Sequence, residues 1–436
     1  MVRIYAERIS PRLRYLLEVL FGHWYGTAYE LVPHPPGSSS TAEGARIYYV
    51  DQVPGGAPAG LHIRPSGWLN EGVLPPGPSG VATVEGLPAF PLTPGGSGAA
   101  PGLPFDLFAL LFHQLSRMEE YLPGPRDTHG RFPARASLAY RHGFLERPLA
   151  DLWANRLMGR LKAATPRWHV QQPPYCLQPT VDVDYPWAFH YKPLWRQAAA
   201  FLKNTFRHPA LARRHWEVWR GRAEDPFFTF PYLHRQLAGH AGRFFILMGG
   251  KTAFDKGPPP GLPPFWQLIA TLGDHLGIHP SYASPEEPEL LAIEKKRLET
   301  LWGRPVLHSR QHYLRMRLPD TYRQLLAAGI RHDWTMGYAE AVGFRAGTAR
   351  SFPWYDLERE HTTELIIHPF VCMDVSLRNY LEFSPQEAAR KGRELARSTQ
   401  EAGGTFTFIW HNSSFSAAHG WSGWRETFEQ LLALKG

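Results

Sequence analysis

The sequence predicts an α/β chain, with a parallel barrel over its second half and a smaller α+β domain ahead of it. From about residue 176 onward, short apolar or β-branched runs alternate with helix-length amphipathic stretches, giving six or seven β/α units over roughly 260 residues. Chemistry-bearing side chains also recur at the C-terminal ends of the strand candidates: Asp182 and Asp184, His279, Arg310, Asp333, His368 and His411. A parallel barrel builds its site from those ends.

The first half is less regular. Residues 5–31 read as one or two helices, anchored by Leu16, Leu17, Val19, Leu20 and Phe21. Pro33 to Gly44 reads as a loop, and Ile47 to Val50 and Leu61 to Ile63 as short strands. Glycine and proline dominate from Gly72 to Gly102, with a strand-like island at Val81 to Val84. A helix follows from Phe105 through Met118, its leucines spaced by three and four, and another covers about 147–164. Pro166, Pro173 and Pro174 mark a boundary, dividing the chain into 1–170 and 171–436.

In the second half the strand candidates are 177–184, 243–248, 275–279, 305–308, about 330–334, 364–368 and 405–410. Helical stretches fall at about 187–220, 263–272, 286–301, 319–328 and 385–402.

Composition narrows the function classes. A chain of 436 residues with 43% hydrophobic and 20% charged content is globular, and long enough for more than one core. No apolar run reaches the ~18 residues of a membrane span. The first 18 residues are broken by Arg3, Glu7, Arg8, Arg12 and Arg14, unlike a secretory signal, so a cytoplasmic location is expected. Two cysteines, Cys176 and Cys372, cannot build a disulfide framework. The net charge of +8 comes from scattered arginines, densest between Arg207 and Arg222, which reads as a solvated helix face. No nucleic-acid module accompanies it, so no nucleic-acid partner is expected. An anionic glycan or lipid-linked sugar suits the charge equally well.

The stretch Pro179 to Pro186 carries the most chemistry. Side chains alternate along a strand, so Asp182 and Asp184 share a face about 7 Å apart. One carboxylate of such a pair can hold a cation while the other handles a proton. Capping of the following turn is the competing role.

At this point the chain resembles the NodB-homology polysaccharide deacetylases over roughly residues 175–425. Thr180-Val181-Asp182-Val183-Asp184 looks like their first motif. Gly277 to Tyr282 is similar to their metal-histidine loop, and Ser309 to Tyr313 to their arginine motif. Asp333-Trp334 matches their Asp-Trp pair, and Trp410 to Ser413 their closing histidine. The segments Ser116 to Leu122 and Asp127 to Pro133 resemble an uncharacterised domain ahead of this barrel in one bacterial subgroup.

The resemblance implies a distorted (β/α)7 barrel and a hydrolase acting on linear amide bonds, cleaving an acetamide on an N-acetylated saccharide. It also implies a divalent metal, zinc by preference, with Asp184 and His279 as ligands. Asp182 would be the base, oriented by Arg310. His411 would be the acid, tuned by Asp333. Tyr282, Trp187, Trp334 and Arg345 are the candidates for contact with the sugar, Arg345 also for orienting Asp182. Tyr185, Trp354, Trp421 and Trp424 suit stacking on sugar rings, and Asp225 to Phe230 a loop over the barrel mouth.

One position departs from the family pattern. Four residues after His279, where a second metal histidine is expected, stands Ala283. His275 lies roughly 13 Å from His279 on an extended strand. His308, His312 and His368 are the histidines that neighbouring strands can bring in. Two alternatives therefore stand beside the metal hydrolase: a saccharide-binding barrel without catalytic metal, and a metal-independent amidohydrolase of the same fold.

Overall fold

A computed structural model of the chain describes residues 1–33, 44–72, 74–78, 80–91, 102–192, 194–250, 252–255, 261 and 263–434. Most of the loop expected from Pro33 to Gly44, and part of the Gly/Pro-rich stretch from Gly72 to Gly102, lie outside these residues.

The first sheet contains β1 (Val2–Ala6), β2 (Tyr29–Val32), β3 (Ala45–Tyr49), β4 (Leu61–Ile63) and, later in the chain, β7 (Gly102–Leu103). Their order is β2-β1-β3-β4-β7, and every pairing is parallel. A hairpin of β5 (Ala82–Val84) and β6 (Leu87–Ala89) stands apart from it. The expected α+β character of this half is therefore corrected to α/β. The 5–31 stretch is also corrected: it is not only helical but takes in the end of β1, then α1 (Pro11–Leu17), a π-helical segment Glu18–Trp24, and most of β2. β1 was hidden by its length and by Arg3, whose charge is met across the strands by Glu30 at 2.8 Å. Ser10 caps α1 by accepting from the Leu13 amide, with Pro11 at the first helical position.

Among the described residues of this half, three further α-helices follow: α2 (Leu107–Ser116), α3 (Leu138–Arg141) and α4 (Leu149–Ala164). Asp106 caps α2, and all ten of its residues are buried. That burial follows from its position, since α2 packs against α1 and α4 on its own side and against a strand of the second sheet.

Among the described residues the second sheet has nine strands. In chain order they are β8 (Cys176–Val183), β9 (Arg243–Leu247), β10 (Leu276–His279), β11 (His308–Ser309), β12 (His332–Asp333), β13 (Phe352–Asp356), β14 (His361–Ile367), β15 (Cys372–Met373) and β16 (Thr405–His411). Their order is β13-β14-β12-β11-β10-β9-β8-β16-β15, and only the β13–β14 pair is antiparallel. Between them run α5 (Leu194–Arg207), α6 (Pro209–Trp219), α7 (Phe230–Leu237), α8 (Pro263–Thr271), α9 (Pro288–Trp302), α10 (Asp320–Ala327) and α11 (Pro385–Ala402), with α12 (Trp424–Leu432) after the last strand. A full capping box, Ser384 with Glu387, starts α11.

This sheet is strongly curled. On a flat sheet β8 and β11, three strands apart, would lie roughly 14 Å from each other. Yet the Arg310 Nη1 that follows β11 reaches Thr180 Oγ1 and Asp182 Oδ1 of β8 at 2.8 Å each. On the far side, residues 368–371 tie the two flanks together. His368 N donates to Asp333 O, Phe370 N to Met336 O, and Val371 N to Thr407 O.

One hydrophobic core runs through both halves, joining Leu110, Leu111 and Trp153 to Phe344, Trp354 and Phe406. Polar contacts reinforce the junction. Glu120 is buried between Arg117 and Arg345, and Asp151 accepts from Thr348 Oγ1 and the Ala349 amide. Gly343 has a φ of +123°, and a Cβ there would stand 2.4 Å from Leu145 O, so only glycine fits this approach. Among the described residues, no helix is long and apolar enough to cross a membrane.

Candidate metal and hydrolytic site

The strand ends of the second sheet meet in a cavity of about 370 Å³. Asp182, the seventh residue of β8, lies at its floor, and Asp184 follows one residue beyond the strand. β10 ends on His279, and the turn after β11 carries Arg310 and His312. β16 ends on His411.

Arg310 is fixed before it touches Asp182. Its Nε donates to Trp334 O at 3.0 Å, and its guanidinium lies 4.4 Å above the Phe245 ring. That ring fits because residue 277 is glycine: a Cβ there would sit 2.6 Å from Phe245 Cε1. Asp333 supports the same turn indirectly. It accepts from Thr335 N and Oγ1, and Thr335 Oγ1 in turn accepts from the Gln311 amide. Burial pushes the Asp333 carboxyl up to about 6 against the pull of these hydrogen bonds.

Three ligand atoms converge beside this pair. Asp184 Oδ1 lies 3.3 Å from His279 Nε2 and 3.4 Å from His312 Nδ1. The two ring nitrogens are 3.0 Å apart. Each ring has its other nitrogen on a backbone carbonyl: His279 Nδ1 on Arg310 O at 2.6 Å, and His312 Nε2 on Phe254 O at 3.3 Å. A carbonyl only accepts, so in neutral rings those nitrogens carry the protons. The converging nitrogens are then both lone pairs, facing a buried carboxylate oxygen that accepts no hydrogen bond.

Three acceptors this close require a positive charge among them, either a cation or an added proton. The set of two imidazoles and one carboxylate, each imidazole oriented by a carbonyl behind it, suits a divalent metal with an open position. Burial raises the Asp184 carboxyl, but His312, His279 and His411 outweigh this and hold it well below the usual range. For His312 burial lowers the ring, and Asp184 more than restores it.

His411 stands across the pocket, its Nε2 3.9 Å from Asp184 Oδ2. Its Nδ1 lies 2.8 Å from Asp374 Oδ1, while its amide donates to Asp374 Oδ2. Loss of water lowers this ring, but Asp374, Asp184 and Asp182 together push it up to about 10.

Several sequence expectations are corrected here. The carboxylate on His411 is Asp374, because β15 is the neighbour of β16, whereas Asp333 ends a strand on the other flank. Arg345 does not orient Asp182; it is buried against Glu120 at 2.5 Å. Trp187 is core, parallel to Phe228. Trp334 lies under the turn, stacked on His368 at 4.1 Å. Tyr282 packs behind His312, on Phe254 at 4.2 Å. None of these four lines the cavity; its aromatic wall is Tyr185, Tyr313, Tyr380 and Trp421. Trp354 and Trp424 are buried core. His308 and His368 join a separate ring cluster with His332.

Sequence reasoning missed Asp374 and Arg131. Asp374 follows a two-residue strand with no periodic signal. Arg131 reaches the cavity from the first half, held by Asp127 and donating to Tyr313 O at 2.7 Å.

Residues 2–166 match the model of a family of unknown function, DUF7033. No curated protein matches the chain. Among solved structures, the chain is similar to a protein from Mycobacterium smegmatis described as a polysaccharide deacetylase. The identity is 18%, with 60% of this chain and 85% of that chain covered, at a TM-score of 0.38. A polysaccharide deacetylase from Bacillus cereus shows 9% identity over 58% of this chain and 87% of that chain, at a TM-score of 0.26.

Proposed function

We propose that the chain is a metal-dependent carbohydrate N-deacetylase, hydrolysing an acetamide on an N-acetylated saccharide within a distorted (β/α)7 barrel spanning residues 171–436. The observation that carries this is the convergence of Asp184 Oδ1, His279 Nε2 and His312 Nδ1 between a carboxylate on an arginine and a histidine on a carboxylate.

Asp184, His279 and His312 would hold the metal, zinc by preference. A divalent ion there supplies Lewis-acid polarisation and a more acidic water. Asp182 is the base: Arg310 keeps its carboxylate oriented, and its Oδ2 lies 4.0 Å from His279 Nε2, facing the same space. It accepts the proton of the water that adds to the acetamide carbon. His411 is the acid. Asp374 fixes its Nδ1–H, so Nε2 points into the cavity and delivers a proton to the departing nitrogen. The C–N bond breaks, leaving acetate and a free amino sugar. Tyr185, Tyr313, Tyr380 and Trp421 offer ring faces to a pyranose, and Arg131 a donor.

The metal-independent amidohydrolase is the second reading, favoured by one observation: a proton on His312 would also satisfy Asp184 and His279. Acetate release from N-acetylated oligosaccharides tests the hydrolase. Asp182→Asn and His411→Ala are each expected to lower kcat by about 10²–10⁴. Release unchanged in both variants rejects the assignment. Release by wild type that survives complete chelation moves the chemistry to the metal-free reading.

A further inference from the structure

Immediately after Asp184 the chain leaves the curled sheet and builds α5 and α6 before returning as α7 and β9. The stem of this excursion is rigidly held. Asp225 accepts from the amides of Ala188, Phe189 and His190 at 2.7, 2.9 and 3.1 Å. Asn412 Nδ2 donates to Tyr185 O and Phe227 O. The helical pair therefore stands on residues adjoining Asp184 and His411, beside the cavity.

α6 turns Ala212, His215 and Val218 inward, the His215 ring stacked on Phe189 at 4.3 Å. α5 is different: among its described residues none is buried. Trp195, Leu202 and Phe206, at i, i+7 and i+11, form one apolar stripe on it. These side chains are 68%, 61% and 80% exposed, and Trp219 on α6 is 61% exposed. Lys203 and Arg207 lie one step round the helix from the stripe, both exposed. Between Lys192 and Arg222 there are eight Lys or Arg and one acid, Glu217, a net +7 in a chain whose total is +8.

We propose that this helical pair docks the protein on an anionic lipid surface, independently of what the cavity does. An apolar stripe flanked by cations and edged with tryptophan is the pattern of a helix lying in a bilayer interface. The face needs both an apolar phase for Leu202 and Phe206 and negative charge beside it. A nucleic acid offers the second without the first. A second copy of the chain would set one +7 surface against another.

The test uses the full chain and large vesicles of phosphatidylcholine alone or mixed with phosphatidylglycerol, with binding read by co-sedimentation. Wild type should bind the mixed vesicles at low salt, bind the neutral ones far less, and release at high salt. Leu202→Ser/Phe206→Ser and Lys203→Glu/Arg207→Glu should each weaken partitioning more than about tenfold. Thermal unfolding should not change, since the substituted side chains are exposed. Absence of binding to either vesicle, or equal binding by wild type and both variants, overturns the proposal. So does self-association in light scattering that the serine variant abolishes while vesicles recover nothing, which would give the face to a second copy. RNA binding without vesicle binding overturns it equally.

Discussion

Asp184 Oδ1, His279 Nε2 and His312 Nδ1 can share a volume this small only because each histidine is turned by a carbonyl behind it. The same logic operates at His411, where Asp374 takes both the ring Nδ1 and the backbone amide. The metal-free protein should show this in its titration. His411, with an ordinary value of about 6.5, is held up to about 10, so its charged form stabilises the fold. That contribution is complete below about pH 6.5 and is lost as pH rises through about 10. Asp374→Asn removes its strongest partner, and the ring titration followed by NMR should move down while the wild-type ring stays protonated at pH 7. An unmoved titration would mean that Asp374 only packs.

At the scale of elements, five strands of the second half, β8, β9, β10, β12 and β16, were legible to within a residue or two. Those expected at 305–308 and 364–368 start three residues from β11 and β14, and β13 and β15 were not legible. Short apolar runs bracketed by amphipathic helices left little choice, as Arg243–Leu247 and Pro385–Ala402 show. The first half was harder because β1 is five residues long and adjoins a strongly helical pattern. Within the site, Asp182, Asp184, Arg310 and His411 were visible as polar residues ending apolar runs. The histidine that stands in for the one expected at Ala283 was narrowed to His308, His312 and His368 but not singled out, because His312 reaches His279 only through the pairing of β10 with β11 at Ile278 and Ser309. Such meetings depend on register, which a single strand does not encode. The element junctions can be tested by stability. Burial raises the Glu120 carboxyl, but Arg345 and Arg117 overcome it and hold it down to about 2. Glu120→Ala leaves both guanidiniums buried and underpaired, and should cost about 3–5 kcal/mol in denaturant unfolding. A change below about 1 kcal/mol would show that the cluster is not structural.

Across the whole molecule, the two halves share one core and both supply the cavity, the first through Arg131 and the second through its strand ends. We therefore propose that the division at 170/171 separates two folding patterns and does not separate two independent bodies. A chain beginning at 171 would lose Glu120, Asp151 and the cover that α1 and α2 give to β13 and β14. The strand ends are proposed to hold a metal ion on Asp184, His279 and His312. Elemental mass spectrometry on untagged protein tests it most directly, comparing wild type with Asp184→Ala and His312→Ala. About one divalent metal, zinc by preference, is expected per wild-type chain, with loss in both variants. Metal-free wild type after growth and purification with zinc supplied, or full occupancy retained in His312→Ala, would contradict it.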